Sequence, residues 1–195
     1  MDRYLLWIGL LGWCASCGPP TPEPGTAAGQ ALYFDVQGFL DRQVQYLNQE
    51  KPEVRKSVWN EQGEAETQTV GNINWERELE LFREVDLNRP ALRDYFTITR
   101  HSDSATGHTT ERYERVPGAY TNIHYLEVEL DANRQLRHME AATQQDNSLF
   151  YTQRQLQLST RAVQGQPRLS QYRITGVQKL ILTDSVHYTL EAEVR

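Results

Sequence analysis

The side chains with metal or acid–base chemistry are few and scattered. His101, Asp103 and His108 flank one short connection, which puts two imidazoles and a carboxylate within range of a metal ion. Glu127 and Glu129 alternate along what reads as one strand. They share a face about 7 Å apart, two residues at roughly 3.3 Å each, and that spacing suits a carboxylate pair in glycoside hydrolysis. Both patterns also have an ordinary reading: surface histidines beside a polar turn, and the wet side of a half-buried strand. There is no glycine-rich phosphate loop, nucleophile elbow, His-Glu-x-x-His run or cysteine metal motif. The sequence therefore predicts no catalytic residue, no metal and no cofactor.

The remaining reactive side chains are Cys14 and Cys17, both in the first tenth of the chain, where neither can staple the body of a fold. Ahead of them runs Tyr4-Leu5-Leu6-Trp7-Ile8-Gly9-Leu10-Leu11-Gly12-Trp13, ten residues. A spanning helix needs about 20, so this length fits the apolar core of a secretory signal. Small residues Ala15-Ser16 then precede Cys17, and the arrangement resembles the lipobox of bacterial lipoproteins. The resemblance implies that residues 1–16 are removed and that Cys17 is diacylated as the mature N-terminus. Cys14 is the alternative: it has Leu11 three places before it, where the family prefers leucine, but bulky Trp13 sits at the cleavage point. Gly18 follows Cys17, and in the sorting rule of enterobacterial lipoproteins that implies the outer membrane.

Residues 17–30 then read as the lipidated cysteine and a tether. Gly18 to Gly29 hold four of the eight prolines, and neither helix nor strand forms in such a run. In the extended proline form, at ~3.1 Å per residue, it reaches up to ~40 Å. Several acyl chains at ~0.8 kcal/mol per buried CH₂ hold a protein at a bilayer where one chain does not. With Cys17 acylated and Cys14 cut away, the mature chain keeps no free thiol.

The chain has 195 residues and net charge −6. Its mean hydropathy is −0.67, which excludes a polytopic helical membrane protein. The acidic balance argues against a nucleic-acid partner. Residues 31–195 have the size of one domain. The acidity belongs to the first part: residues 18–94 carry 8 basic and 14 acidic side chains, whereas residues 95–195 carry 11 of each.

Tyr33, Val36, Leu40, Val44 and Leu47 recur at helical spacing with Phe39 beside them, and Pro52 stops the run. Gly38 lies inside this pattern at a cost of about 1 kcal/mol relative to Ala. Val54–Asn60 and Glu64–Val70 alternate around a Gly63 turn and predict a hairpin. Asn74 caps a second helix with Trp75, Leu79, Phe82 and Val85 as its buried stripe, and Pro90 opens a further turn. From Tyr95 the period falls to two. The expected strands are Tyr95–His101, His108–Val116, Ile123–Asp131, Gln135–Ala142, Leu149–Leu158, Gln171–Leu182 and Val186–Arg195. Short connections imply an antiparallel meander. Gly176 suggests a bulge or bend. The predicted fold is α+β: a curved antiparallel meander of about nine strands with two amphipathic helices on one face.

Three functions fit. The first is a non-catalytic, membrane-anchored envelope lipoprotein that binds or scaffolds other envelope proteins. The second is a carrier of lipid or another apolar ligand in the groove between sheet and helices, a layout similar to the outer-membrane lipoprotein carriers and receptors. The third is a cell-surface hydrolase, which requires acid, base or metal ligands to converge in a cleft.

Overall fold

The computed structural model describes residues 32–59, 63, 65–180 and 184–195. Its first element, α1 (Val36–Glu50), buries Val36, Phe39, Leu40, Gln43, Val44 and Leu47. Tyr33 belongs to the same core but lies before the helix, because Asp35 is the N-cap: its carboxylate accepts the Gly38 N–H at 2.8 Å. Gly38 is the residue this cap requires. A Cβ there would stand 2.1 Å from Asp35 Oδ2, so its low helix propensity is offset by the close approach of the cap. Lys51, in the left-handed region at φ 48°, ends the helix.

A hairpin follows, β1 (Val54–Trp59) and β2 (Ala65–Val70). The stretch predicted as one second helix is two short ones, α2 (Trp75–Glu78) and α3 (Glu80–Arg83), broken at Leu79 with φ −98° and ψ 9°. The stripe itself is as expected: Trp75, Leu79, Phe82 and Val85 are all buried. The Asn74 side chain accepts the Arg77 N–H at 3.1 Å and caps α2. Pro90 opens a 3-10 turn over Pro90–Leu92.

The rest of the chain is sheet: β3 (Phe96–Ser102), β4 (Thr109–Arg115), β5 (Ile123–Leu130), β6 (Leu136–Asp146), β7 (Phe150–Val163), β8 (Gln166–Leu180) and β9 (Val186–Val194). The nine strands form one open antiparallel sheet in the order β2-β1-β9-β8-β7-β6-β5-β4-β3. The meander runs from β3 to β9, and the early hairpin adds to it through β1 beside β9. The edge strand β2 carries Glu66, Thr67, Gln68 and Thr69, a polar rim that discourages further pairing.

Register lines up one apolar row across eight strands: Ile98, Tyr113, Leu126, Ala141, Leu156, Ile174, Leu190 and Val58. On the opposite face Arg112, Glu127, Glu140, Gln157, Arg173 and Glu191 stand side by side. Period-two alternation thus yields one dry and one wet face. Side chains of α1, α2 and α3 share a single core cluster with Tyr113, Leu126, Ala141, Leu156 and Ile174 of the apolar row, whose outer members Ile98 and Val58 stay exposed. Two contacts tie them in detail. Gln43 donates to Pro167 O and accepts the Leu169 N–H, each at 2.9 Å, and the Phe82 ring meets the Tyr172 ring edge-on at 6.0 Å.

Several strands run past their expected ends. β6 continues four residues beyond Ala142 and β7 five beyond Leu158, while β8 starts five residues early at Gln166. The turn between β7 and β8 is Gln164-Gly165, both at positive φ, as a tight two-residue hairpin demands. Gly176 marks no bulge: register is continuous through it, and the irregularity lies at Ser159/Thr160.

Candidate functional site

The sheet has two ends. One carries the β4–β5, β6–β7 and β8–β9 connections and the start of β3. The other carries the β3–β4, β5–β6 and β7–β8 turns. At the first end a cavity of about 460 Å³ opens between the segment around the Pro90 turn and strands β5 to β7. Glu84, Arg89 and Leu92 wall it on one side, and Ile123, Thr143, Thr152 and Arg154 on the other.

Its polar groups are held in place. Arg154 is half-buried, and its Nε–H donates to the Tyr188 hydroxyl at 3.3 Å. Tyr188 arrives from β9 across Gly176, which has no Cβ to block it. Buried Thr152 donates to Val177 O at 3.5 Å. Arg89 donates through Nη2 to Arg83 O and Glu84 O at 3.0 and 2.7 Å, which places a cation on the carbonyls at the end of α3. The cavity therefore offers two guanidinium groups, one carboxylate, and hydroxyl and amide groups beside an apolar floor. That chemistry is suited to a polar or charged small molecule.

A second, more open cavity of about 400 Å³ lies alongside, lined by Arg115, Tyr120, His124 and Asp146 among others, and shares Thr121, Asn122 and Gln144 with the first. Burial, and next the Arg115 charge, push the His124 pKa below the usual imidazole range, so its ring is neutral at neutral pH.

Cys17 and Cys14 lie outside the described residues. His101, Asp103 and His108 do not converge. Asp103 is engaged within its own turn, accepting from Thr106 and from the Ala105 N–H at 2.8 Å each. His108 instead faces Glu129 at 3.3 Å, with Arg137 Nη1 3.0 Å from its Nε2. Among the described residues no three His, Cys, Asp or Glu side chains group to hold a metal ion. Glu127 and Glu129 share the wet face as predicted, but each is paired: Glu127 with Arg112 at 3.1 Å, and Glu129 with His108 and with Arg137 at 3.4 Å. His138 meets Ser159 at 3.0 Å.

Two carboxylate sites were not singled out in the sequence. Glu111 is buried on the dry face and takes hydrogen bonds from Tyr113, from Arg134 at 2.8 Å and from Arg100 at 3.3 Å. Burial pushes its carboxyl up, but those three donors outweigh burial and hold it below the usual carboxylate range. The Tyr113 hydroxyl also accepts the Phe34 N–H at 3.1 Å, which fixes the chain entering α1. Glu78 takes Lys56 Nζ at 2.6 Å and the Tyr172 hydroxyl. The signal for Glu111 was its parity: it alternates in step with Tyr113, on the side that goes inward. Glu78 gave none, because its partners lie on β1 and β8.

On the wet face, Glu140 accepts from Tyr125, Gln155 and Gln157, and Arg112 stacks over the Tyr125 ring at 4.0 Å. Five strands carry one tyrosine each: Tyr113 and Tyr172 are core, Tyr125 belongs to the wet face, and Tyr188 orients the cavity arginine. Tyr151 donates to Gln153 at 2.8 Å, on the face of β7 opposite the cavity residues Thr152 and Arg154.

No family model, no curated protein and no solved structure matches this chain.

Proposed function

We propose that this chain is a membrane-anchored lipoprotein of the bacterial envelope, of the outer membrane by its Gly18, whose α+β domain acts as a binding module. The observation that carries the reading is in the sequence: a ten-residue apolar run, then Ala15-Ser16-Cys17, then a tether with four prolines. Among the described residues no helix is long and apolar enough to cross a membrane, so attachment on this reading rests on the Cys17 lipid. In this reading the sheet is curved, the helices pack on its dry face, and the cavity at the β4–β5 end holds the ligand. Its two arginines, with threonine and amide neighbours, favour a polar ligand over the lipid-carrier alternative.

The test is the mass of the mature chain from labelled cells, with Cys17→Ala and Cys14→Ala variants. Acyl mass on the parent and its loss in Cys17→Ala is the expected result. Loss only in Cys14→Ala moves the lipid site, and absence of any acyl mass overturns anchoring. Native mass spectrometry of the envelope-purified chain reads the cavity: a co-purifying small molecule lost in Arg154→Ala is expected. No bound species in either chain would count against the cavity.

A further inference from the structure

Most of the large apolar side chains left exposed among the described residues lie toward one end of the sheet, while Val58 and Ile98 are exposed within β1 and β3. Tyr120 is 95% exposed in the β4–β5 connection, Leu149 65% in the β6–β7 turn, Val186 59% at the start of β9 and Leu180 48% at the end of β8. The opposite end presents Asp103, Thr106, Asn133, Arg134 and Gln164 in its turns, and among the described residues no exposed large apolar side chain.

The described chain enters the domain at the apolar end. Tyr33 packs edge-on against Phe96, the first residue of β3, at 6.1 Å, and its hydroxyl donates to Arg93 O. From there α1 runs to the other end, where Val54 opens β1 opposite Val194. Leu32, ahead of Tyr33, is itself 52% exposed.

We propose that this end of the sheet is a membrane-docking surface, with Tyr120, Leu149, Leu180 and Val186 seated in the headgroup layer of the bilayer that holds the Cys17 lipid. The inference rests on the anchored reading for its choice of occupant. Three features favour lipid over a second protein. The apolar side chains are distributed over three connections, with Leu180 and Val186 on the two sides of one, instead of along a single strand or helix face that a second copy would pair with. Each has polar neighbours, Asn147 and Ser148 before Leu149 and Lys179 before Leu180, that stay among headgroups while the apolar body inserts. A tyrosine suits that layer, with its ring dry and its hydroxyl wet.

The tether adds a further link. Leu32 is 15 residues from Cys17, a reach of ~45 Å at ~3.1 Å per residue. Such a reach alone leaves the domain free to tumble. An anchor leaving from the same end raises the local concentration of the tips at the surface, so side chains too weak to bind alone become sufficient to orient the domain. The polar cavity beside Tyr120 would then open close to the bilayer.

The experiment uses the full chain on phosphatidylcholine vesicles with brominated acyl chains, comparing a Tyr120→Trp variant with an Asn133→Trp variant at the opposite end. The mass of the same preparations reports acylation. Support is quenching of at least half of the added emission in Tyr120→Trp and none in Asn133→Trp. Each serine replacement at Leu149 or Val186 is expected to weaken that quenching several-fold. Equal quenching at both ends, or none at either, on an acylated chain overturns the docking surface and leaves the anchor standing. Quenching at Tyr120 on a chain without acyl mass keeps the docking surface and removes the anchor. A dimer that dissociates when Leu149 is replaced by serine assigns the tips to a second copy and overturns the proposal.

Discussion

The Tyr188 side chain lies directly over Gly176: a Cβ built on the glycine would stand 2.5 Å from the tyrosine hydroxyl oxygen and 2.6 Å from Cζ. The two residues are cross-strand partners, and the hydroxyl so placed accepts from Arg154 Nε. Gly176→Ala must therefore push the ring away and release the cavity arginine. The expected cost is about 1–2 kcal/mol, the range of a modest steric overload, since a half-buried tyrosine is able to swing outward. Tyr188→Ala removes the obstacle, so Gly176→Ala in that background is neutral or mildly stabilising. Urea midpoints of the two single variants and the double variant check this. Equal cost of Gly176→Ala in both backgrounds would separate the glycine from the tyrosine.

Gln43 is the second test. It is 2% exposed on α1, and its amide satisfies two backbone groups of β8, Pro167 O and the Leu169 N–H. Gln43→Leu keeps the apolar surroundings filled but strands both groups away from water. The expected loss is about 2–4 kcal/mol, one to two unsatisfied buried groups. The Leu169 amide should exchange with deuterium far faster in the variant, while amides of β4 and β5 change only through global stability.

Much of the fold was legible in the sequence, for reasons these residues make plain. The stripe Trp75, Leu79, Phe82 and Val85 could be read because burial follows helical spacing whether or not the helix is continuous. The break at Leu79 could not, since no glycine or proline marks it. The nine-strand meander was readable where side chains alternate, as in Leu126, Val128 and Leu130. It was lost where strands run on with little apolar alternation: Thr143 to Asp146 carry polar side chains on both faces, and Gln166 to Ser170 put only Leu169 into the core. Gln164 was also a poor herald of a tight turn. The candidate cavity is built partly on one of those polar extensions, through Thr143 and Gln145, and on the cross-strand contact of Arg154 with Tyr188. Such convergence in space leaves no trace in spacing. The Gly176 signal was real but its bulge reading was not: the glycine clears a ring and register runs through it unbroken.

Glu111 predicts the acid limb of stability. Its folded carboxyl titrates below the unfolded value, because Tyr113, Arg134 and Arg100 favour the ionised form more than burial opposes it. A depressed carboxylate stabilises the fold fully above its unfolded pKa, about 4.3, and that contribution is lost as pH falls through the lower folded value. Unfolding midpoints of the parent should therefore drop between about pH 5 and the folded value. Glu111→Gln should be less stable at pH 7, by about 1–3 kcal/mol for the lost charge-assisted bonds, and should show a shallower acid slope. The same slope in both chains would assign acid sensitivity to other carboxylates, of which Glu140 is the nearest in kind.

Tyr125 predicts the alkaline limb. Burial, and then its hydrogen bond to the Glu140 carboxylate and that charge, raise its phenol to about 12. The fold thus prefers the neutral phenol. That preference is fully present below the ordinary value of about 10 and is lost as pH rises to the folded one. Tyr33, Tyr113 and Tyr172 are raised as well, so absorbance titration at 295 nm should show several late-ionising tyrosines, one fewer in Tyr125→Phe.

The ion pair of Lys56 with Glu78 gives a prediction whose sign depends on which partner is removed. Their side chains are only 18% and 19% exposed, and Tyr172, fully within the core, donates to the same carboxylate. Lys56→Met leaves Glu78 ionised, shielded from water and with the Tyr172 hydroxyl as its remaining donor. The cost should be about 2–3 kcal/mol, somewhat below the 3–5 kcal/mol of a fully buried pair because both side chains keep some water. Glu78→Gln strands no negative charge and still accepts from Tyr172, so it should cost less. The double variant Lys56→Met with Glu78→Leu exchanges the pair for apolar contact beneath α2 and leaves only the Tyr172 hydroxyl to find a partner. It should therefore be more stable than Lys56→Met alone. Urea midpoints at low and high salt decide the point. If the double variant is the weaker one, the carboxylate is needed chiefly by Tyr172, and Tyr172→Phe should then rescue it.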